Sequence, residues 1–594
     1  MIAAMLAIVP LGFASRGRAR GARTPWPITL SLAGSTLLGC VAVGFWVAAA
    51  PNVLIAQSTA SQSPNDRLLS LKEGVEAVVA VTEVPDKGRW LLTNGSPLSA
   101  ANRMSRRSAR ALAYIPLLIS ERPENVLVIG FGIGHTSQAA AAYPTVRRVE
   151  IVDPSPEVLA QAGYFRDANG GVLSDRRVSV FVNDGRQHLR MQRTASYDLI
   201  AVDPPFLSLA GAGALYSREF YALARTRLKA KGYLSQPLPI YQVSTDALLS
   251  MVRAFVDVFP QSVLLGGSGQ ELMLVGVNDS RLEVAPDRLT AALMQTAAAQ
   301  TDLQALSLSS ALDILGTFVA SGQTMVSATQ NVRAASDDRP VQEYAASSRL
   351  TAIHLGGVPP ALVDPGQITA WCPRCYTGGA PAKAVDGLGA YIALLEPLYK
   401  WTLPPSDGVG SPSDAQTREI ISGNAYIRDL IAEHVARRNA RGAALATDGR
   451  LDEAIEEFRN VLRLDPDSAE THWNLGRALA SRGQIPAAVA ELRRSVELDP
   501  NQGPPHYDLA STLLDLDQVD GAIDEFRAAI RLMPKAVEAH NNLGIALGRK
   551  GRLEEAANEF QEALKLNPNY AEAQHNLASA LQAAGSANPG RGAR

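Results

Sequence analysis

Val126-Leu127-Val128-Ile129-Gly130-Phe131-Gly132-Ile133-Gly134-His135-Thr136 decides the fold of this chain. Four apolar residues in a row predict a buried strand, and three glycines at alternate positions predict a sharp turn. The alanine-rich stretch that follows, through residue 142, predicts a helix. A strand that turns through glycines into a helix lets backbone approach a ligand closely, with the helix N-terminus facing it. The spacing is GxGxG, with His135 where a dinucleotide fingerprint carries its last glycine. That spacing suits an adenosine sulfonium better than a pyrophosphate. A loop of this kind also occurs as a tight turn without a ligand.

The flanking sequence repeats the alternation. Strands are predicted at 149–152, 178–182, 197–202 and 232–236, with helical segments between them. Strand–helix alternation implies an α/β fold of the AdoMet-type Rossmann-like class, a parallel sheet with helices on both faces. Asp153 ends the second strand, Asp184 follows the third and Asp203 ends the fourth. Three acids at the carboxyl ends of successive strands converge on one crevice. Asp153 is placed to accept from a ribose diol and Asp184 from an adenine amine. Each could instead be a helix N-cap, Asp153 before Pro154-Ser155-Pro156 being a fair candidate.

Upstream, the loose alternation of 74–84 and the Trp90-Leu91-Leu92 run predict a β-hairpin, closed by the turn at Asn94-Gly95. An amphipathic helix is predicted at 106–120. Downstream, 288–330 carries helical patterns, and 355–411, rich in Gly and Pro, predicts loops. Cys372-Pro-Arg-Cys375 is a lone CxxC, which favours a local disulfide or two free thiols over a structural zinc site.

The C-terminal part is periodic. Pro466, Pro500, Pro534 and Pro568 are 34 residues apart, and Gly442, Gly476, Ala510, Gly544 and Ala578 keep the same phase. Ala454, Ala488, Ala522 and Ala556 form a second small set, and Phe458, Leu492, Phe526 and Phe560 a large apolar set. Small residues let paired helices approach, the large residue fills the hairpin, and proline ends the second helix. This pattern resembles tetratricopeptide repeats, four from about 435 to 570 with a capping helix after Ala571, and implies a groove for a protein partner. His472, His506 and His540 recur with the repeat and are read as packing or partner-surface residues, not metal ligands.

The N-terminal part carries 23 residues without charge, 28–50. A helix of that length rises roughly 34 Å, enough to cross a bilayer core. Arg16, Arg18, Arg20 and Arg23 precede it. The expectation is a bacterial inner (cytoplasmic) membrane protein, single-pass or an N-terminally truncated multi-pass one, with the side of the soluble part left open. A secretory signal peptide is the alternative for the same segment.

Composition sets the outer limits. The 594 residues include 46% hydrophobic and 19% charged residues, so most of the chain is globular and divides into several domains. The net charge of −2 gives no sign of a nucleic-acid partner. Three cysteines exclude a disulfide framework.

The stretches NVLVIGFGIGHTSQA, VEIVDPSPEVLAQAGYF, RVSVFVNDGRQHL, YDLIAVDPP and ALYSREFYALARTRLKAKGYLSQPLPIY together resemble the polyamine aminopropyltransferases (spermidine synthases). FVDVFP and the DDRPVQEY segment at 337–344 extend the likeness, which runs from about Glu73 to Tyr344. The resemblance implies an alkyl transferase that moves an aminopropyl group from decarboxylated S-adenosylmethionine to a small amine, without a metal. It implies Asp203 as the base, and Gly130, Gly132, Gly134, Asp153 and Asp184 as nucleotide-binding residues. Gln236 and Tyr241 then face the substrate.

The amine half departs from the family pattern. Phe206 stands where the family has a second aspartate, and Ser108 and Arg110 stand where it has a tyrosine and a glutamate. The family's glutamine after the hairpin is also absent from Asn94-Gly95-Ser96-Pro97-Leu98. Losing an acid and gaining Arg110 is expected to repel a diamine such as putrescine. Two alternatives stay open: a methyltransferase using S-adenosylmethionine, and a non-catalytic membrane scaffold on a degenerate nucleotide-binding fold. The expected organisation is an anchor at 1–56, a small β domain with linking helix at 69–120, and the nucleotide-binding domain at 121–345. A loop-rich linker at 346–433 and the repeats at 435–586 complete it, and a homodimer stays open.

Overall fold

The computed structural model describes residues 66–587, apart from 75–76, 86–87, 205–206, 208–210, 241, 269–270, 341–357, 378–379, 401, 405–407 and 413. The chain forms two compact units, 1–99 and 100–594. The inner-membrane location expected from the sequence is corrected here. Among the described residues no helix is long and apolar enough to cross a membrane. The 28–50 segment that carried the expectation lies outside the described residues.

The first sheet has four strands in sequential order: β1 (Arg67–Glu73), β2 (Val78–Val84), β3 (Gly88–Thr93) and β4 (Ser96–Ala100). Between β3 and β4, Asn94 (φ 50°) and Gly95 (φ 77°) both adopt left-handed backbone, the geometry that makes Asn-Gly a hairpin turn. The expected hairpin is therefore part of a four-stranded meander.

The second sheet has eight strands in the order β12-β10-β11-β9-β8-β5-β6-β7. Its parallel half is β5 (Asn125–Ile129), β6 (Arg148–Asp153), β7 (Val178–Val182), β8 (Tyr197–Val202) and β9 (Leu228–Pro239). β10 (Ser262–Ser268), β11 (Glu271–Val277) and β12 (Phe318–Ser321) are antiparallel to their neighbours, so the sheet is mixed where a parallel one was expected. β12 lies inside the stretch whose pattern predicted helices. Its four residues are too few to show a period, and all are buried against β10. Strand β5 lies at the centre of the parallel half, and Val126, Leu127 and Val128 are fully buried.

Local capping explains the crossover helices. Ser155, Asp184, Ser217 and Ser244 each accept a backbone N–H at the start of Pro156–Ala160, Gly185–Met191, Arg218–Arg227 and Thr245–Val258. The helix His135–Ala142 begins instead at Gly134, which has no side chain to cap it.

Cys372 and Cys375, both fully buried, form a disulfide. The C-terminal helices come in pairs: Ala425–Thr447 with Leu451–Leu464, Ala469–Ser481 with Ile485–Leu498, Gly503–Asp515 with Val519–Leu532, and Val537–Arg549 with Leu553–Leu566. Ala571–Ala587 follows. The periodic glycines meet the periodic large residues. A Cβ on Gly442 would lie 2.6 Å from Phe458, one on Gly476 2.6 Å from Leu492, and one on Gly544 2.5 Å from Phe560. His472, His506 and His540 tie the paired helices together. Their Nδ1 atoms lie 2.7, 2.5 and 2.7 Å from Glu491, Glu525 and Glu559.

Candidate active site

The parallel pairing of β5 with both β6 and β8 brings Gly130, Asp153 and Asp203 to one sheet edge. In register, Ile129 faces Val152 on one side and Val202 on the other. β5 lies where the chain's strand order reverses, which is where ligands enter open α/β sheets. The ladders run past the last residues: the Gly130 N–H donates to the Val152 carbonyl at 2.8 Å, and the Asp203 N–H to the Ile129 carbonyl at 2.7 Å.

Glycine is required at the turn. Gly130 has φ +91°, and a Cβ there would lie 1.9 Å from the Asp203 carbonyl oxygen. Gly134 also has φ +91°, and its Cβ would press on Phe131 and Asn169 at 2.8 Å. Gly132 completes the turn with φ 54°.

Asp153 is only 6% exposed. It accepts the Phe131 N–H at 2.8 Å and the Ser155 N–H at 2.9 Å. Burial pushes its carboxyl up to about 6 against the pull of these two donors. Asp203 is half-buried. Burial raises its carboxyl to about 7, the Thr136 hydroxyl opposes the rise, and the negative charges of Glu271 and Asp153 add to it. The Thr136 Oγ1 lies 2.8 Å from Asp203 Oδ2. His135 is buried, with Nδ1 3.3 Å from the Ala168 carbonyl. Burial, Arg110 and Arg106 lower it to about 3, so it stays neutral.

Asp184 differs from the other two acids. It is exposed, and its side chain accepts the Gln187 N–H at 2.8 Å as the cap of the following helix. Gln236 is fully buried on β9. Its Nε2 donates to the Leu215 carbonyl at 3.1 Å, while its Oε1 meets no hydrogen-bond partner among the described residues. Tyr241 and Phe206 lie outside the described residues.

The two departures on the helix Arg103–Ile119 have separate roles. Arg110 is ion-paired with Asp302 and donates to the Ala168 carbonyl at 2.6 Å. Tyr114 donates to the other Asp302 oxygen at 2.9 Å. The Arg110 charge is therefore matched inside the fold, which removes the ground for expecting it to repel a cationic substrate. Ser108 donates to the carboxylate of Glu271, the first residue of β11.

Glu271 is the acid that sequence reasoning missed. It opens an antiparallel strand opposite Pro239, the last residue of β9, so it joins the edge where the parallel strands end. Glu433, on the helix Ala425–Thr447, stands near it. Burial raises the Glu433 carboxyl, Arg437 opposes the rise and Glu271 adds to it. The same helix is fixed to Arg103–Ile119 by the Arg103–Asp429 ion pair and by Arg107 stacked 3.8 Å over the Tyr426 ring.

The chain is similar in sequence to proteins of known family. Residues 106–262 match the Spermine/spermidine synthase domain, and residues 445–513, 507–571 and 543–588 match tetratricopeptide repeats. The chain is 31% identical over 191 residues to the polyamine aminopropyltransferase of Streptococcus uberis, covering 31% of this chain and 64% of that protein. It is 32% identical over 172 residues to the polyamine aminopropyltransferase of Oceanobacillus iheyensis, covering 28% of this chain and 33% of that protein. The chain thus spans less than two thirds of the length of either relative. A solved spermidine synthase in complex with the transition-state analogue AdoDATO is similar at 21% identity and a TM-score of 0.34, covering 36% of this chain and 74% of that one. Residues 106–262 are a spermine/spermidine synthase-like domain, in a chain that also carries C-terminal tetratricopeptide repeats.

Proposed function

We propose that this domain transfers an aminopropyl group from decarboxylated S-adenosylmethionine to a small amine, with Asp203 as the base. The observation that carries the reading is the Asp203 carboxyl, raised to about 7 at the tip of β8 beside the glycine turn. An alkylamine is mostly protonated at neutral pH and is a nucleophile only after losing that proton. A base titrating near the working pH removes it most effectively. The amine nitrogen then attacks the methylene beside the sulfonium. The carbon–sulfur bond breaks with its electron pair going to sulfur, methylthioadenosine leaves neutral, and the product remains a protonated secondary amine, Asp203 holding the one proton taken before the attack.

The remaining residues have matching tasks. Gly130, Gly132 and Gly134 bring backbone against the nucleoside, and the uncapped helix start at Gly134 leaves amide donors facing it. Asp153 accepts from the ribose, and Asp184 would take the adenine amine only by sharing its capping role. The unpartnered Gln236 Oε1 is an acceptor for a substrate N–H. Glu271 supplies a carboxylate for the acceptor's distal ammonium, in place of the acids missing at Ser108, Arg110 and Phe206. The repeats dock a protein partner along their concave face.

Asp203, Asp153 and Glu271 together favour the decarboxylated nucleotide. A cationic aminopropyl arm is attracted to three carboxylates, and the carboxylate of S-adenosylmethionine is repelled by them. Calorimetry with both nucleotides tests this. Decarboxylated S-adenosylmethionine is expected to bind at least tenfold more tightly. Tighter binding of S-adenosylmethionine would point to methyl transfer instead, and binding of neither to a scaffold.

A further inference from the structure

A surface cavity away from the glycine turn carries a chemistry the proposed transfer does not use. Arg218, Arg253, Arg333 and Arg339 line a surface pocket of about 390 Å³, with Asp257 as the lining carboxylate and Ser336 on its wall. None of the nucleotide-site residues lines it. Arg253 is paired with Asp257 at 2.7 Å and donates to the Thr329 carbonyl at 3.4 Å. Arg218 reaches Glu219 at 3.5 Å. Arg333 and Arg339 are exposed and make no ion pair among the described residues. Four arginines thus line one concavity, and with Arg253 matched by Asp257 and Arg218 by Glu219 the surplus of positive charge rests on Arg333 and Arg339.

The wall that carries them is built, not loose. The Arg218 N–H donates to the Ala335 carbonyl at 3.0 Å, and the Ala335 N–H to the Ser250 carbonyl at 3.0 Å. Ser336 and Arg339 close a bridge on each other. Between them, Asp337 holds the Arg186 guanidinium at 2.7 Å, and its N–H donates to Glu219 at 3.1 Å. Arg339 is therefore presented from a fixed turn, which lowers the entropy cost of gripping an anion.

We propose that this pocket binds a small molecule carrying a diphosphate or an equivalent multiply charged phosphate group. Guanidinium forks match phosphate oxygens two at a time, and several together suit an anion with more than one charge. The volume lies in the range of about 300–1,000 Å³ typical of small-molecule sites, more than a single phosphate needs. The charge is gathered in one pocket instead of strung along a stripe, which favours a compact anion over an acidic peptide.

Titration calorimetry of the full chain with inorganic pyrophosphate, at ionic strength held constant with potassium chloride, tests the proposal. Saturable binding at one site is expected. Arg333→Ala combined with Arg339→Ala is expected to weaken it at least tenfold, while Arg176→Ala, an exposed arginine outside the pocket, leaves it unchanged. Arg333→Lys combined with Arg339→Lys keeps the charge but loses the forks, and an intermediate loss is expected. Absence of saturable binding, equal affinity in the alanine double variant, or an equal loss in Arg176→Ala would overturn the proposal. Methylthioadenosine binding, measured on the same samples, reports on the transferase site separately.

Discussion

The Thr136 hydroxyl stands 2.8 Å from Asp203 Oδ2 and 2.9 Å from the Ala109 carbonyl oxygen. A hydroxyl has one proton to donate. The Ala109 carbonyl can only accept, so when Thr136 donates to it, the contact with Asp203 is best made by a protonated carboxyl. When Asp203 ionises, the Thr136 proton turns toward it. The hydroxyl direction and the charge of Asp203 are thus coupled, and a carboxyl titrating near 7 is the group for which that coupling matters at neutral pH.

Thr136→Val removes this switch while keeping the side-chain shape. The hydrogen bond from Thr136 is what opposes the rise of Asp203. In the variant the acidic limb of the kcat/KM profile for methylthioadenosine release should move above pH 7, with about a tenfold loss at pH 7. Thr136→Ser should restore the wild-type profile. A loss that is the same at every pH would reduce Thr136 to a packing role.

Glu271→Gln tests the acid proposed to stand in for the family's missing ones. Removing its negative charge should lower the acidic limb, because that charge helps hold Asp203 up. The KM for a diamine should rise by about tenfold or more, since a distal ammonium loses its carboxylate. A monoamine of similar length should be affected far less. Equal effects on both amines would place Glu271 outside the acceptor site.

Gly130→Ala should cost about 2–4 kcal/mol of stability. The substitution forces a Cβ to 1.9 Å from the Asp203 carbonyl oxygen at a φ of +91°. Urea unfolding of the full chain measures the stability. Calorimetry on the folded fraction should show nucleotide binding lost as well, because relief of the clash displaces the Asp203 backbone. Near-normal stability would mean that the turn is softer than its contacts indicate.

Asp203→Asn separates stability from catalysis. The Asp203 carboxyl titrates near 7 in the folded chain, against about 3.9 when free in water. A raised carboxyl favours the fold fully only below the unfolded value, and that contribution is lost as the pH rises through about 7. The amide carries no charge to desolvate. The Asp203→Asn variant should therefore be more stable than wild type at pH 8, by on the order of 1–2 kcal/mol after allowance for solvent at the open edge, and melt at a higher temperature. The difference should shrink steadily toward pH 4. A constant difference across that window would mean the carboxyl titrates normally.

The grouping of Gly130, Asp153 and Asp203 was legible in the sequence because strand-to-helix junctions recur along it. Gly130, Asp153 and Asp203 each sit at a strand-to-helix junction, and parallel strands place such junctions on one edge. The repeat was legible for the same reason: the 34-residue spacing of Gly442, Gly476 and Gly544 is the footprint of contacts with Phe458, Leu492 and Phe560. The amine half was not legible. Glu271 begins an antiparallel strand, so the acid at the shared edge comes first in its strand instead of last. Arg110 finds Asp302 192 residues later, and no local pattern announces that pair. Asp184 fits both readings that the sequence offered. Its position in sequence matches that of a ligand acid, while its exposed side chain caps a helix.

Asp203 is proposed to take a proton from an amine during aminopropyl transfer. The direct measurement is methylthioadenosine release from decarboxylated S-adenosylmethionine and a small diamine, comparing the full chain with Asp203→Asn. Wild type should turn over with an acidic limb near pH 7. The variant should fall by at least 100-fold in kcat, while its affinity for the nucleotide, which Asp153 and Glu271 still attract, falls far less. Undiminished turnover in the variant would contradict the account.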